Sequence, residues 1–378
     1  MIATGQSGGE RRSAQNEGGP AGLATATAEA TATAAPLLEL RGVGKRFVKP
    51  LDAAAKIGNL FGAGMRVEVV HAVDRVDLAI RPGEVVGLVG ESGCGKSTLG
   101  RLAVGLLPLS GGERYWRGEP LAGLAPALAR VQQLRMQMIF QDPYASLNPR
   151  LRVVDIVGEA PVAHGLVPRR AQAEYVGLQL DRVGLDATLM RRFPHQFSGG
   201  QRARIGIARA LAVRPEFLVC DESVAALDVS IQAQVLNLFM ELRAALNLTY
   251  LFISHDLGVV EHISDRVVIM YLGRVVEIGT TAELFAGPSH PYTRALLTEV
   301  GKVLPKKRTF VPIKGEIPSP LDPPSGCHFH PRCPHAMARC REAVPPLVET
   351  APGRRSACWL NESPSPNKAL ALESGGAP

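Results

Sequence analysis

The sequence predicts an α/β protein built on a mainly parallel sheet. Short continuous apolar runs recur along the chain: VVGLVG from Val85, MQMIF from Met136, FLVC from Phe217 and TYLFIS from Thr249. Each has the length of a strand, and VVGLVG is the unbroken apolar run expected of a buried parallel strand. Helical periodicity separates them, with charged residues on one side between about Val153 and Phe193. A glycine-rich turn, GESGCGKS, connects the first of these runs to a helix.

At 378 residues the chain exceeds a single core, so two or three domains are expected. A hydrophobic share of 46% and a charged share of 20% are those of a globular protein. The net charge of +7 permits an anionic partner, but no long basic run concentrates it, so no nucleic acid is expected. No stretch reaches the ~18 apolar residues of a membrane span. Arg11 and Arg12 are not followed by an apolar run, so no secretory signal is read.

In chain order, residues 1–36 are Gly, Ala, Thr and Glu with little to bury, and disorder is expected. Strand-like runs LLELRGV, RVEVVHAV and VDLAI follow from Leu37, with a long loop between Phe47 and Val67. Strands resume at MQMIF, FLVC, TYLFIS and RVVIMYLG, with a helical insert at about 150–198. Beyond Pro288 the chain is Pro-rich and irregular and carries four cysteines.

Gly90, Glu91, Ser92, Gly93, Cys94, Gly95, Lys96 and Ser97 fit the phosphate-loop pattern G-x-x-x-x-G-K-[ST], with Thr98 next in the helix. The glycines let backbone N–H groups turn inward around a phosphate, and the helix start adds its positive end. Lys96 should neutralise the β- and γ-phosphates of ATP, and Ser97 should ligate Mg²⁺. FLVC leads into Asp221 and Glu222, expected to hold Mg²⁺ and to polarise the attacking water. Gln141 follows MQMIF and His255 follows LFIS, each at a strand end near that water and, for Gln141, near Mg²⁺. Ser198, Gly199, Gly200 and Gln201 open the helix QRARIGIARAL, which makes a second anion site. Because Lys96 already holds one triphosphate, this second site is expected to serve another molecule's ATP in a head-to-tail dimer.

With these motifs in this order, Leu37 to Gly287 resembles an ATP-binding cassette (ABC) ATPase. The resemblance implies a P-loop NTPase core with an antiparallel β subdomain, a helical subdomain and, here, an irregular Cys-rich C-terminal tail over 288–378. It makes GESGCGKS the Walker A motif, Gln141 the Q-loop, SGGQ the signature, Asp221 and Glu222 the end of Walker B, Asp228 the D-loop and His255 the switch histidine. Phe47 stands where an aromatic stacks on adenine, or is a core phenylalanine. Two positions depart from the family pattern: Ser223 replaces a proline, and Ala225 replaces the serine that begins the D-loop, a hydroxyl that could bridge the dimer.

QDPYASLNPRLRV, SIQAQVLNL and HPYTRALL narrow the resemblance to the oligopeptide/dipeptide importer ATPases. It implies a peripheral ATPase at the cytoplasmic face of the membrane, importing peptides or a related small solute. Its partners would be a homologous ATPase in a heterodimer, two transmembrane permeases and an external solute-binding protein. Asp142 to Arg150, with the helical insert, would receive the permease. The alternatives are a soluble ABC ATPase acting on ribosomes or nucleic acid, and an exporter ATPase. Cys327, Cys333, Cys340 and Cys358, spaced C-x5-C-x6-C-x17-C, suggest a bound metal in a segment poor in core residues. By resemblance this is a 4Fe–4S cluster; zinc and four free thiols are the alternatives.

Overall fold

The computed structural model describes residues 35–50, 59, 67–142, 144–299 and 315–362. The segment expected to be disordered lies outside these except for Ala35 and Pro36, as does most of the expected loop between Phe47 and Val67.

The first half runs β1 (Leu38–Lys49), β2 (Glu68–Ile80), β3 (Val85–Val89), α1 (Lys96–Ala103), β4 (Gly111–Trp116), β5 (Glu119–Pro120), α2 (Pro126–Arg135) and β6 (Met136–Ile139). Then come α3 (Val153–Ala163), α4 (Gln172–Arg182), α5 (Gly199–Leu211), β7 (Phe217–Asp221), α6 (Val229–Leu246), β8 (Thr249–Ile253) and α7 (Leu257–Ile263). The chain continues through β9 (Arg266–Tyr271), β10 (Arg274–Thr280), α8 (Thr281–Ala286), α9 (Pro291–Glu299), α10 (Ala338–Glu342), β11 (Val348–Ala351) and β12 (Arg354–Ser356).

Strands β1, β2, β4 and β5 form an antiparallel sheet in the order β2-β1-β4-β5. Along β1 the pleat alternates as its sequence does, Leu38 and Leu40 inward and Arg41 outward. The larger sheet runs β11-β12-β10-β9-β3-β8-β7-β6. Its centre is parallel, and β3, β7 and β8 are buried along their whole length, which is why they read as unbroken apolar runs.

Leu99, Leu102 and Ala103 of α1 pack in a core shared with Leu38, Leu40 and Ile80 of the antiparallel sheet and Val86, Val219 and Ile253 of the larger one. A second core joins the larger sheet to α3, α4, α5 and α6 through Val157, Leu180, Ile205 and Phe239. The helical insert therefore hangs on the same framework as the strand ends.

The described part of the tail is mostly loop, but β12 pairs with β10 and extends the larger sheet. Its anchor is Glu277, fully buried, which accepts hydrogen bonds from the N–H groups of Ser289 (2.6 Å) and His290 (3.0 Å) and from Arg354 Nη2 (3.0 Å). Three donors satisfy the carboxylate, as a buried charge requires. The rings of Tyr271, Tyr292 and Phe329 meet edge-on or tilted, with centroids 4.7–5.3 Å apart.

Candidate nucleotide site

β3 delivers the glycine-rich turn to the centre of the larger sheet, and α1 starts at Lys96. The turn is pressed against its neighbours. A Cβ on Gly90 would lie 2.2 Å from Met270 O, and one on Gly95, whose φ is +106°, would lie 2.1 Å from Ala72 O. Only glycine fits either position. Gly90 and Cys94 are buried behind the loop.

Lys96 is 3% exposed, and its Nζ donates to Gly90 O (2.7 Å) and Glu91 O (3.0 Å). The ammonium thus closes the loop on itself, at its mouth. Ser97 Oγ donates to Asp221 Oδ1 at 2.7 Å, joining α1 to the end of β7. Asp221 is 1% exposed, and its Oδ2 has no hydrogen-bond partner among the described residues. Burial raises its pKa, opposed by the Ser97 hydrogen bond. An orphaned carboxylate oxygen beside a serine hydroxyl fits a hydrated Mg²⁺, whose charge would offset the desolvation.

Glu222 follows in a left-handed backbone, φ 45°, with its N–H donating to Ile253 O at 3.0 Å. Its carboxylate accepts from Gln141 Nε2 at 2.7 Å and lies 3.5 Å from His255 Nδ1. Three strand ends, β6, β7 and β8, thereby bring Gln141, Glu222 and His255 together. His255 remains more than half exposed.

A cleft of ≈ 340 Å³ opens in front, lined by Phe47, Val70, Ala72, Ser92, Gly93, Gly95, Lys96, Ser97, Thr98, Gln141, Glu222 and Pro320. Phe47, 41% exposed near the end of β1, lines it and is not a core side chain. Val70, opposite Phe47 in the β1–β2 register, and Pro320, from the tail, were not legible in sequence. Neither carries a motif; the fold alone puts them there.

Ser198, Gly199, Gly200, Gln201 and Asp228 are not among the lining residues. Ser198 caps α5: its Oγ accepts the Gln201 N–H at 3.3 Å, and Gln201 Oε1 accepts the Ser198 N–H at 3.1 Å. Asp228 caps α6, its carbonyl accepting from Gln232 N at 2.8 Å. Ser223 is buried with its hydroxyl unpartnered among the described residues, and Ala225 is exposed. Downstream of Gln141, Arg202 of α5 lies 3.9 Å over the exposed Tyr144 ring, and Arg209 Nη1 donates to Ser146 O at 2.5 Å.

Cys327, Cys333, Cys340 and Cys358 line one small cavity together with His290, His330 and His335. Burial pushes the Cys327 thiol up to about 11. Among the described residues no group of three or more His, Cys, Asp or Glu is placed to hold a metal ion. A single metal ion in the tail therefore finds no support there. Zinc in particular needs its donors on one point at about 2.0–2.3 Å, and the structure supplies no such set.

Comparison with known proteins agrees with this geometry. Residues 73–225 match the model of the ABC transporter family, and residues 276–340 match that of the oligopeptide/dipeptide transporter C-terminal region. The oligopeptide transport ATP-binding protein AppF of Bacillus subtilis is 47% identical over 331 residues, 86% of this chain and 97% of AppF. Among solved structures, cbiO1 from Clostridium perfringens, part of the cbiONQ ABC transporter complex, aligns with a TM-score of 0.55 at 26% identity, covering 67% of this chain and 91% of that one. The dimeric bacterial ABC transporter cassette MJ0796 shares the fold, with a TM-score of 0.54 at 24% identity over 65% of this chain and 98% of its own. The chain belongs to the ABC transporter family of ATP-binding proteins and carries the oligopeptide/dipeptide transporter C-terminal region.

Proposed function

We propose that the chain is the ATP-hydrolysing subunit of a membrane importer for oligopeptides, dipeptides or a related small solute. The observation that carries this reading is the division of the motifs. Lys96, Ser97, Gln141 and Glu222 line one cleft, with Asp221 bonded to Ser97 and His255 beside Glu222. Ser198 to Gln201 instead open a separate helix start. A site of this kind is completed by a second ATPase, whose signature turn caps the nucleotide.

In the mechanism, Lys96 and the loop N–H groups bind the triphosphate. Phe47 stacks on the base. Ser97, Gln141 and Asp221 would hold Mg²⁺, which would supply charge neutralisation at the phosphate oxygens. Glu222 accepts the proton of the attacking water as its oxygen bonds to the γ-phosphorus and the bond to the ADP oxygen breaks. Gln141 and His255 keep the carboxylate aimed. The partner subunit's signature turn and D-loop, the counterparts of Ser198–Gln201 and Asp228, complete the pocket.

The protein works at the cytoplasmic face of the membrane, with a homologous ATPase in a heterodimer, two permeases and an external solute-binding protein. Asp142 to Arg150 receives the permease. The Arg202–Tyr144 and Arg209–Ser146 contacts support this, because they tie that segment to the signature helix. Opening and closing of the dimer would move it. The soluble alternative on ribosomes or nucleic acid is not favoured: AppF, matched over 97% of its length, is named for oligopeptide transport. Purification from membranes is expected to recover the permeases, with ATPase activity raised by binding protein plus peptide. Recovery free of any membrane protein, with an activity indifferent to peptide, would refute transport.

We further propose that Cys327, Cys333, Cys340 and Cys358 hold a 4Fe–4S cluster, supported by their lining one cavity. Unlike a single ion, a cluster spans thiols that do not meet at a point. Anaerobically purified protein is expected to contain iron and acid-labile sulfide in about equal amounts, near four of each per chain. Protein lacking both removes the cluster.

A further inference from the structure

We propose that Arg332, in the cysteine tail, is a positioning residue for the nucleotide loop, which it holds ready for a triphosphate by neutralising Glu91. This rests on the reading of Gly90–Ser97 as the ATP site. Arg332 lies 241 positions along the chain from Glu91, yet its guanidinium forks onto that carboxylate: Nη1 to Oε2 at 2.7 Å and Nη2 to Oε1 at 2.9 Å. The Arg332 side chain is 5% exposed and that of Glu91 is 18%. Tyr271 OH accepts from Nη1 at 3.4 Å and fixes the guanidinium from behind.

The rest of Glu91 is held as well. Its N–H donates to Tyr292 OH at 3.0 Å, and its carbonyl accepts Lys96 Nζ at 3.0 Å. One loop residue is thus gripped by a tail arginine, a tyrosine of α9 and the loop lysine. Pro320 brings the same tail to the far end of the cleft, where its carbonyl accepts the His71 N–H at 3.1 Å.

The chemistry gives this arrangement a purpose beyond docking the tail. A carboxylate in a loop that must receive a polyanion has the wrong sign. In a half-buried setting its repulsion is only weakly screened. A bidentate guanidinium cancels that charge and fixes its direction, which a lysine would not do. Removing the arginine leaves Glu91 charged and free to turn toward the phosphates, or to compete for Lys96. The effect falls on binding, because Arg332 touches none of the hydrolytic groups Gln141, Glu222 or His255.

The test is steady-state Mg-ATP hydrolysis by the full-length protein in its membrane assembly. Arg332→Met keeps the apolar stem and removes the charge. Its KM is expected to rise about tenfold with kcat little changed, the pattern of lost binding common to ground and transition states. Adding Glu91→Gln to Arg332→Met is expected to return KM to that of Glu91→Gln alone, because a neutral residue 91 no longer needs the guanidinium. An unchanged KM in Arg332→Met, or a loss that Glu91→Gln leaves in place, overturns the proposal. If Arg332→Met alone does not fold, the double variant is compared with Glu91→Gln: equal KM values are expected, and values about tenfold apart overturn it. An unaltered protein with no saturable dependence on Mg-ATP would instead refute the nucleotide site itself.

Discussion

Replacement of Glu222 by glutamine is expected to lower kcat by about 10³-fold while ATP still binds, the loss that follows removal of a positioned general base. The carboxylate is the meeting point of Gln141 at 2.7 Å and His255 at 3.5 Å, so it is aimed by two other strand ends. Glutamine keeps the shape and an oxygen that can accept from Gln141, but it cannot take a proton from water. Lys96, Ser97 and the loop are untouched, so binding survives and the closed ATP-bound dimer accumulates. Phosphate release, nucleotide binding and size-exclusion chromatography with ATP measure the three consequences. Hydrolysis at the unaltered rate would show that another group is the base, and a strictly monomeric ATP-bound form would remove the shared pocket.

Lys96→Ala acts at the earlier step. Its ammonium is almost fully buried and donates to two loop carbonyls. Among the described residues that line the cleft, the same ammonium is the only cation. Losing a hydrogen bond from a charged donor costs about 1.5–3 kcal/mol, which at 1.4 kcal/mol per factor of ten makes an affinity loss of about 10²-fold the expectation. A fluorescent ATP analogue titrated into both proteins reads it directly. Comparable affinities would mean that the lysine serves the loop and not the ligand. The two variants separate the steps: one binds without turning over, and the other fails to bind.

What could be read from sequence was local. The turn at Gly90–Ser97, the acidic pair after FLVC and the lone His255 after LFIS are each contiguous with an apolar strand, and a buried parallel strand announces its own end. The order β8-β7-β6 at one sheet edge then brings their C-terminal ends together, so the meeting of Gln141, Glu222 and His255 follows from strand ends alone. The helix Pro126–Arg135 went unread because it buries none of its residues and so has no apolar stripe. The β11–β12 ribbon went unread because its strands are short, four and three residues, and its largest apolar residue is one valine.

By itself the sequence determined the α/β class, the family and the strand ends that carry Gln141, Glu222 and His255, because each depends on residues adjacent in the chain. Only the tertiary structure decided that Val70 and Pro320 line the cleft, that Phe47 faces it, and that Arg332 grips Glu91. These are contacts between segments up to 241 positions apart, set by the register of β1 on β2 and by the way Glu277 and Tyr292 anchor the tail. A charge pair at such a separation leaves no periodicity or spacing to read. It exists only once the strands between have closed the distance.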